Sequence, residues 1–88
     1  MKLISLISPT LTPELNLVCR PSDAILLRQD AVYLCLRNDI TWPTSLLFVL
    51  EQDISVRQLK PTTTFTIIDN ERWVALCASA EQNVLWQN

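Results

Sequence analysis

Ser45-Leu46-Leu47-Phe48-Val49-Leu50 is apolar from its second residue to its last, with no alternation of polar and apolar side chains. A strand with one wet face alternates, whereas a strand covered on both faces of a parallel sheet does not. This segment is therefore read as a buried parallel strand. Toward the carboxyl terminus, Asp53 is read as the cap of a short helix over 54–59, ended by Lys60-Pro61. Another strand follows over 64–68. Asp69 then caps the last helix, with Glu71 in its first turn. Trp73, Leu76, Cys77 and Ala80 recur at helical spacing and mark its core-facing stripe. Val84-Leu85-Trp86 closes the chain as an apolar tail.

Toward the amino terminus, residues 37–44 form a loop carrying Trp42 and Pro43. Residues 31–36 are ambiguous. Their β-branched and aromatic content favours a strand, but Asp30 as a cap favours a short helix, which is the reading taken. A second strand runs over 23–28. Before it, Thr12 and Pro13 start a short helix over 15–19, with Thr12 as cap and Pro13 at the first helical position. Arg20-Pro21 stops it. The first strand is 3–7. It follows Met1-Lys2 as a signal peptide's core would, but Ser5, Ser8 and Pro9 interrupt it and no small-residue cleavage site follows. Strand and helix thus alternate four times. That pattern predicts a single α/β domain over 1–88, with a mostly parallel sheet of about four strands and helices on both faces.

Composition narrows the function. Among 88 residues there is no His and no Gly, which removes imidazole-based catalysis, most zinc sites, the P-loop and the glycine-rich dinucleotide turn. Neither a metal nor an organic cofactor is expected. The net charge of −2 comes with no basic cluster, so no direct nucleic-acid binding is expected. No apolar run is long enough to span a membrane. Three sparse cysteines, Cys19, Cys35 and Cys77, form no CxxC pair and suit a reducing, cytoplasmic setting. The apolar fraction of 49% is large for a chain this small. Some of that surface is expected to be exposed and covered by a partner.

Three segments resemble one family. Leu26-Leu27-Arg28-Gln29-Asp30-Ala31-Val32-Tyr33 resembles the "LLxQDGVY" segment of TusB/DsrH proteins. Residues 48–59, Phe-Val-Leu-Glu-Gln-Asp-Ile-Ser-Val-Arg-Gln-Leu, resemble "VYALxxDLxARGL". Residues 67–76, Ile-Ile-Asp-Asn-Glu-Arg-Trp-Val-Ala-Leu, resemble "IxxIDYxxFVxLT", and the chain ends near Trp86 as those proteins do. The departures are Ala31 and Gln58 in place of glycines, Asn70 in place of Tyr, and Trp73 in place of Phe.

The resemblance implies a small Rossmann-like, three-layer DsrEFH-type fold. It implies hetero-oligomeric assembly with two related α/β subunits, TusC/TusD-like or DsrF/DsrE-like, into a heterohexamer that passes persulfide sulfur between cysteines. In the Tus branch the sulfur goes to 2-thiouridine at the tRNA wobble position, and the catalytic cysteine belongs to a sister subunit. In the Dsr branch the pathway is sulfur oxidation, and a cysteine near the first helix is retained, about where Cys19 falls. Cys19 is therefore the candidate catalytic residue, with Arg20 beside it to favour a thiolate. The alternative is an inert helix residue. Cys35 and Cys77 are read as core. Gln29 and Asp30 follow a strand at the ligand-prone carboxyl edge and are candidate contacts to a partner or substrate, the plainer reading being a helix cap. Trp42 and Trp86 are candidate interface residues, local packing being the alternative.

Overall fold

The computed structural model describes residues 1–62 and 64–86. Its elements run β1 (Lys2–Leu6), α1 (Glu14–Val18), β2 (Ala24–Leu27), a 3₁₀ helix (Gln29–Leu36), β3 (Leu46–Leu50), α2 (Glu51–Val56), β4 (Thr66–Ile68), α3 (Asn70–Ser79) and β5 (Gln82–Trp86). All pairings are parallel, in the order β4-β3-β2-β1-β5. The sheet therefore has five strands, one more than the sequence pattern gave. The apolar tail supplies the extra one: Val84 pairs with Ile4, and Trp86 with Leu6.

The absence of alternation is explained by cover on both faces. Ile4, Leu6, Ile25, Leu27, Leu47 and Val49 point to one face, where Leu15, Ala31, Val32, Leu34, Cys35 and Ile54 pack on them. Leu3, Ala24, Leu26, Leu50 and Ile68 point to the other, under Trp73, Leu76, Cys77 and Ala80 of α3. The expected stripe on α3 is therefore the one that packs, although none of its residues is fully buried. Ala24 to Leu27 of central β2 are all fully enclosed. Each of the large side chains among them contributes about 1.5–3 kcal/mol relative to exposure.

The helix starts differ from the capping pattern in three places. Asp69 does cap α3, accepting the Arg72 N–H at 2.8 Å. By contrast α2 begins at Glu51, directly off β3, so Asp53 lies inside it and Leu50 takes the cap position without a side-chain bond. Pro13, not Thr12, is the cap residue of α1, again with no side-chain bond. Residues 29–36 are helical as read, but with three residues per turn, and Arg28 is their cap residue. That period explains the ambiguous run. Ala31 and Leu34 share one buried row, Val32 and Cys35 the next, and Tyr33 and Leu36 share the exposed one.

Left-handed backbone occurs at Gln29 (φ 52°) and Gln58 (φ 54°). Gln58 stands where the segment it resembles has glycine, and a positive φ is a conformation that glycine suits. Ala31, which stands at the other glycine of the resembled segments, sits within the 3₁₀ helix and needs no such freedom.

Candidate functional site

The carboxyl end of the sheet gathers most of the polar residues singled out in the sequence. β2 stops at Leu27, and the chain turns through the left-handed Gln29 into the 3₁₀ helix. The turn is held by Asp53, whose Oδ2 accepts the Gln29 N–H at 2.9 Å. Asp53 in turn faces Arg57, one helical turn along, with an Oδ1 contact of 3.7 Å and the Asp53 carbonyl accepting from Nη1 at 3.1 Å. Arg57 Nη2 also donates to Asp30 Oδ1 at 2.9 Å, and its guanidinium lies 5.9 Å from the Tyr33 ring centre. The Asp30 hydrogen bond, more than any other contact, pushes the Arg57 pKa up, so the cation is permanent. One arginine thus ties α2 to the start of the 3₁₀ helix. Sequence reasoning missed Arg57 and read Asp53 as a cap, although the Asp53–Arg57 spacing of four is an ion-pair signal on a helix.

Gln29 and Asp30 are both exposed here, so the structure brings them together at one accessible edge. On the opposite face of the same edge, the Arg28 guanidinium stacks on the Trp73 ring, 4.4 Å from its centre. Beyond it, β3 leads to a helix on one face and β4 to a helix on the other. Open α/β sheets hold ligands at such a divergence. The crevice it makes is lined by Glu51, Gln52, Ser55, Val56, Asp69 and Asn70. Two carboxylates and no cation in that lining disfavour phosphate-bearing ligands. Among the described residues no group of three or more His, Cys, Asp or Glu side chains could hold a metal ion.

Cys19 lies at the other end of the sheet. It caps α1 shortly before β2 begins, so the length of β2 separates it from Gln29 and Asp30. It is 5% exposed and packs into the larger core cluster. Its Sγ donates toward the Arg20 carbonyl at 3.6 Å, a contact that suits the thiol form. Burial, chiefly, and then the charge of Asp23 push its pKa up, with Lys2 opposing them. Arg20 does not supply the acidifying charge read from the sequence. Around Cys19 the chain is pinned by Asp23, which accepts from the backbone N–H of Lys2 and of Arg20, each at 2.9 Å. Lys2 Nζ also bonds the Val18 carbonyl. Buried Thr44 bonds the Asp23 carbonyl at 2.6 Å and accepts the Leu46 N–H at 3.2 Å.

The remaining candidates are packed. Cys35 is fully buried, and burial raises its pKa. Cys77 is half-buried on the sheet-facing side of α3. Trp42 is half-buried, edge-on to Phe65 with ring centres 5.6 Å apart, and borders a shallow apolar crevice with Leu11, Pro13 and Ile40. Trp86 is half-buried against the larger core cluster. The strongly exposed apolar residues are others: Leu17 on α1, Val56 on α2 and Val74 on α3.

With this geometry in place, comparison with known families adds one observation. Residues 8–83 match the family model described as DsrH like protein. The chain belongs to the DsrH-like family. No curated protein matches it. A DsrH-like chain is a sulfur-relay protein, and its α/β fold with an all-parallel sheet agrees with the fold expected from the resemblance. No helix among the described residues is long and apolar enough to cross a membrane.

Proposed function

We propose that this DsrH-like chain is an assembly subunit of a cytoplasmic sulfur-relay complex of the TusBCD type. It docks onto two related α/β subunits and supports persulfide transfer toward 2-thiolation of the tRNA wobble uridine. The observation that carries this reading is the state of its thiols. Sulfur relay requires an exposed, partly ionised cysteine. Cys19 and Cys35 are buried with raised pKa values, and Cys77 is half-covered. The exposed Leu17, Val56 and Val74 are apolar surface of the kind that companion subunits cover. The chain contributes its surfaces, and a sister subunit contributes the reactive sulfur. Reconstitution with the two sisters tests this. Cys19→Ser is expected to co-purify with both and to leave sulfur transfer to uridine at the unmodified rate. A stable monomer in the presence of both sisters overturns the reading.

The alternative reading, a DsrH-like sulfur carrier serving sulfur oxidation, has one observation in its favour: Cys19 sits at the end of the first helix, where that branch of the family keeps a cysteine. It requires the α1–β2 turn to open and expose Sγ. Mass spectrometry after incubation with a persulfide donor separates the two. A one-sulfur adduct, lost in Cys19→Ser, selects the carrier; an unmodified chain beside a loaded sister selects the assembly subunit.

A further inference from the structure

Little side-chain packing holds α1 to the sheet. It has five residues, of which only Leu15 is buried. Leu17 is 84% exposed, and Val18 is exposed beside it. The amino end of α1 has no side-chain cap and borders the crevice toward Ile40, Trp42 and Pro43, so dispersion contacts are missing there. Cys19, buried, follows directly. The turn beyond Cys19 is fixed. Arg20 donates its N–H to Asp23 Oδ2, and the Asp23 N–H donates to the Arg20 carbonyl, each at 2.9 Å. Asp23 is itself held by the Lys2 N–H of β1 and by buried Thr44. From this fixed frame the Lys2 ammonium reaches back to α1 and donates to the Val18 carbonyl. It lies 3.7 Å from Asp23 Oδ2, which keeps it in place.

We propose that α1 is a flap over Cys19, latched by the Lys2 ammonium on the Val18 carbonyl, and that Cys19 is reached by opening of this flap while the sheet stays folded. Opening breaks the latch and uncovers Leu15 and Cys19. The strands, the other helices and the Arg20–Asp23 turn keep their bonds. Local openings of weakly packed segments cost less than global unfolding. Cys35 is the contrast within the same chain. It is equally shut in, but it belongs to the 3₁₀ helix, whose departure would uncover Ala31, Val32, Leu34 and Cys35 together. A latched thiol is silent in the closed chain and reactive in the open one, whichever subunit supplies the relayed sulfur.

Alkylation of the full chain by iodoacetamide, read for each cysteine by peptide mass spectrometry at low conversion, tests this. Cys19 is expected to react at least about tenfold faster than Cys35. Its rate is expected to stay nearly flat in low urea, because a local opening exposes little surface, while that of Cys35 climbs steeply. Lys2→Met keeps the aliphatic stem and removes the donor, and it is expected to speed Cys19 roughly tenfold. Ile68→Val, on the far face of the sheet, loosens the whole fold but not the flap. It is expected to speed Cys35 about three- to tenfold and to leave Cys19 unchanged. Equal rates with equal urea slopes at Cys19 and Cys35 would mean that both are reached only by global unfolding, which overturns the proposal. So does a Cys19 rate that ignores Lys2→Met or follows Ile68→Val.

Discussion

The two ends of the sheet use the same chemistry to opposite effect. At each end an aspartate accepts backbone N–H, two groups at Asp23 and one at Asp53, and faces a cation. At the amino end Asp23 has a side chain only 8% exposed, and it joins the start of β1 to the α1–β2 turn. At the carboxyl end Asp53 and Arg57 are each about a fifth exposed, and their partner Asp30 is 66% exposed. A carboxylate enclosed by backbone donors locks the chain. The same pair in water positions a turn and leaves its residues available. The exposed polar candidates, Gln29 and Asp30, are at the solvated end, while Cys19 is enclosed at the locked one.

This contrast can be broken most directly at Asp23. Asp23→Ala strands two backbone donors and is expected to cost about 2–3 kcal/mol, read by urea unfolding. It also removes an acid-sensitive element. The two backbone N–H bonds hold the Asp23 pKa below its ordinary 3.8. The stabilisation is therefore complete above about pH 4 and is lost as pH falls through the lower folded-state value. The unmodified protein is expected to lose stability in that acid window, and the variant to show a shallower slope there. An equal slope in both would place the acid sensitivity elsewhere.

A smaller change sharpens the comparison from the other side. Gln58→Gly relieves left-handed backbone at no cost in contacts and is expected to raise stability by about 0.5–1 kcal/mol. The smallest expected effect is that of Arg57→Ala. Its melting midpoint should barely move, because its hydrogen-bonded partner Asp30 is solvated. Amide exchange at residues 29–31 should nevertheless speed up once Asp53 and Asp30 lose their common tie. A large drop in melting temperature would show that the carboxyl end is a lock as well.

Much of this was legible in the chain. The unalternating 46–50 segment announced a strand covered on both faces, the 73–76–77–80 stripe announced the packed side of α3, and Asp69 announced its cap. Those signals are local: periodicity and capping depend on neighbours a few residues away. The absence of His and Gly likewise bounded the chemistry without a structure. Three things needed the tertiary fold. The tail became β5 only because β1 offered it an edge. Asp53 became a clamp for Gln29 because α2 starts beside the end of β2. Cys19 became an enclosed thiol because Lys2 and Thr44, distant in sequence, bond to Asp23 of the α1–β2 turn and close around it. Burial and long-range hydrogen bonds are properties of where segments meet, and a one-dimensional pattern does not carry them.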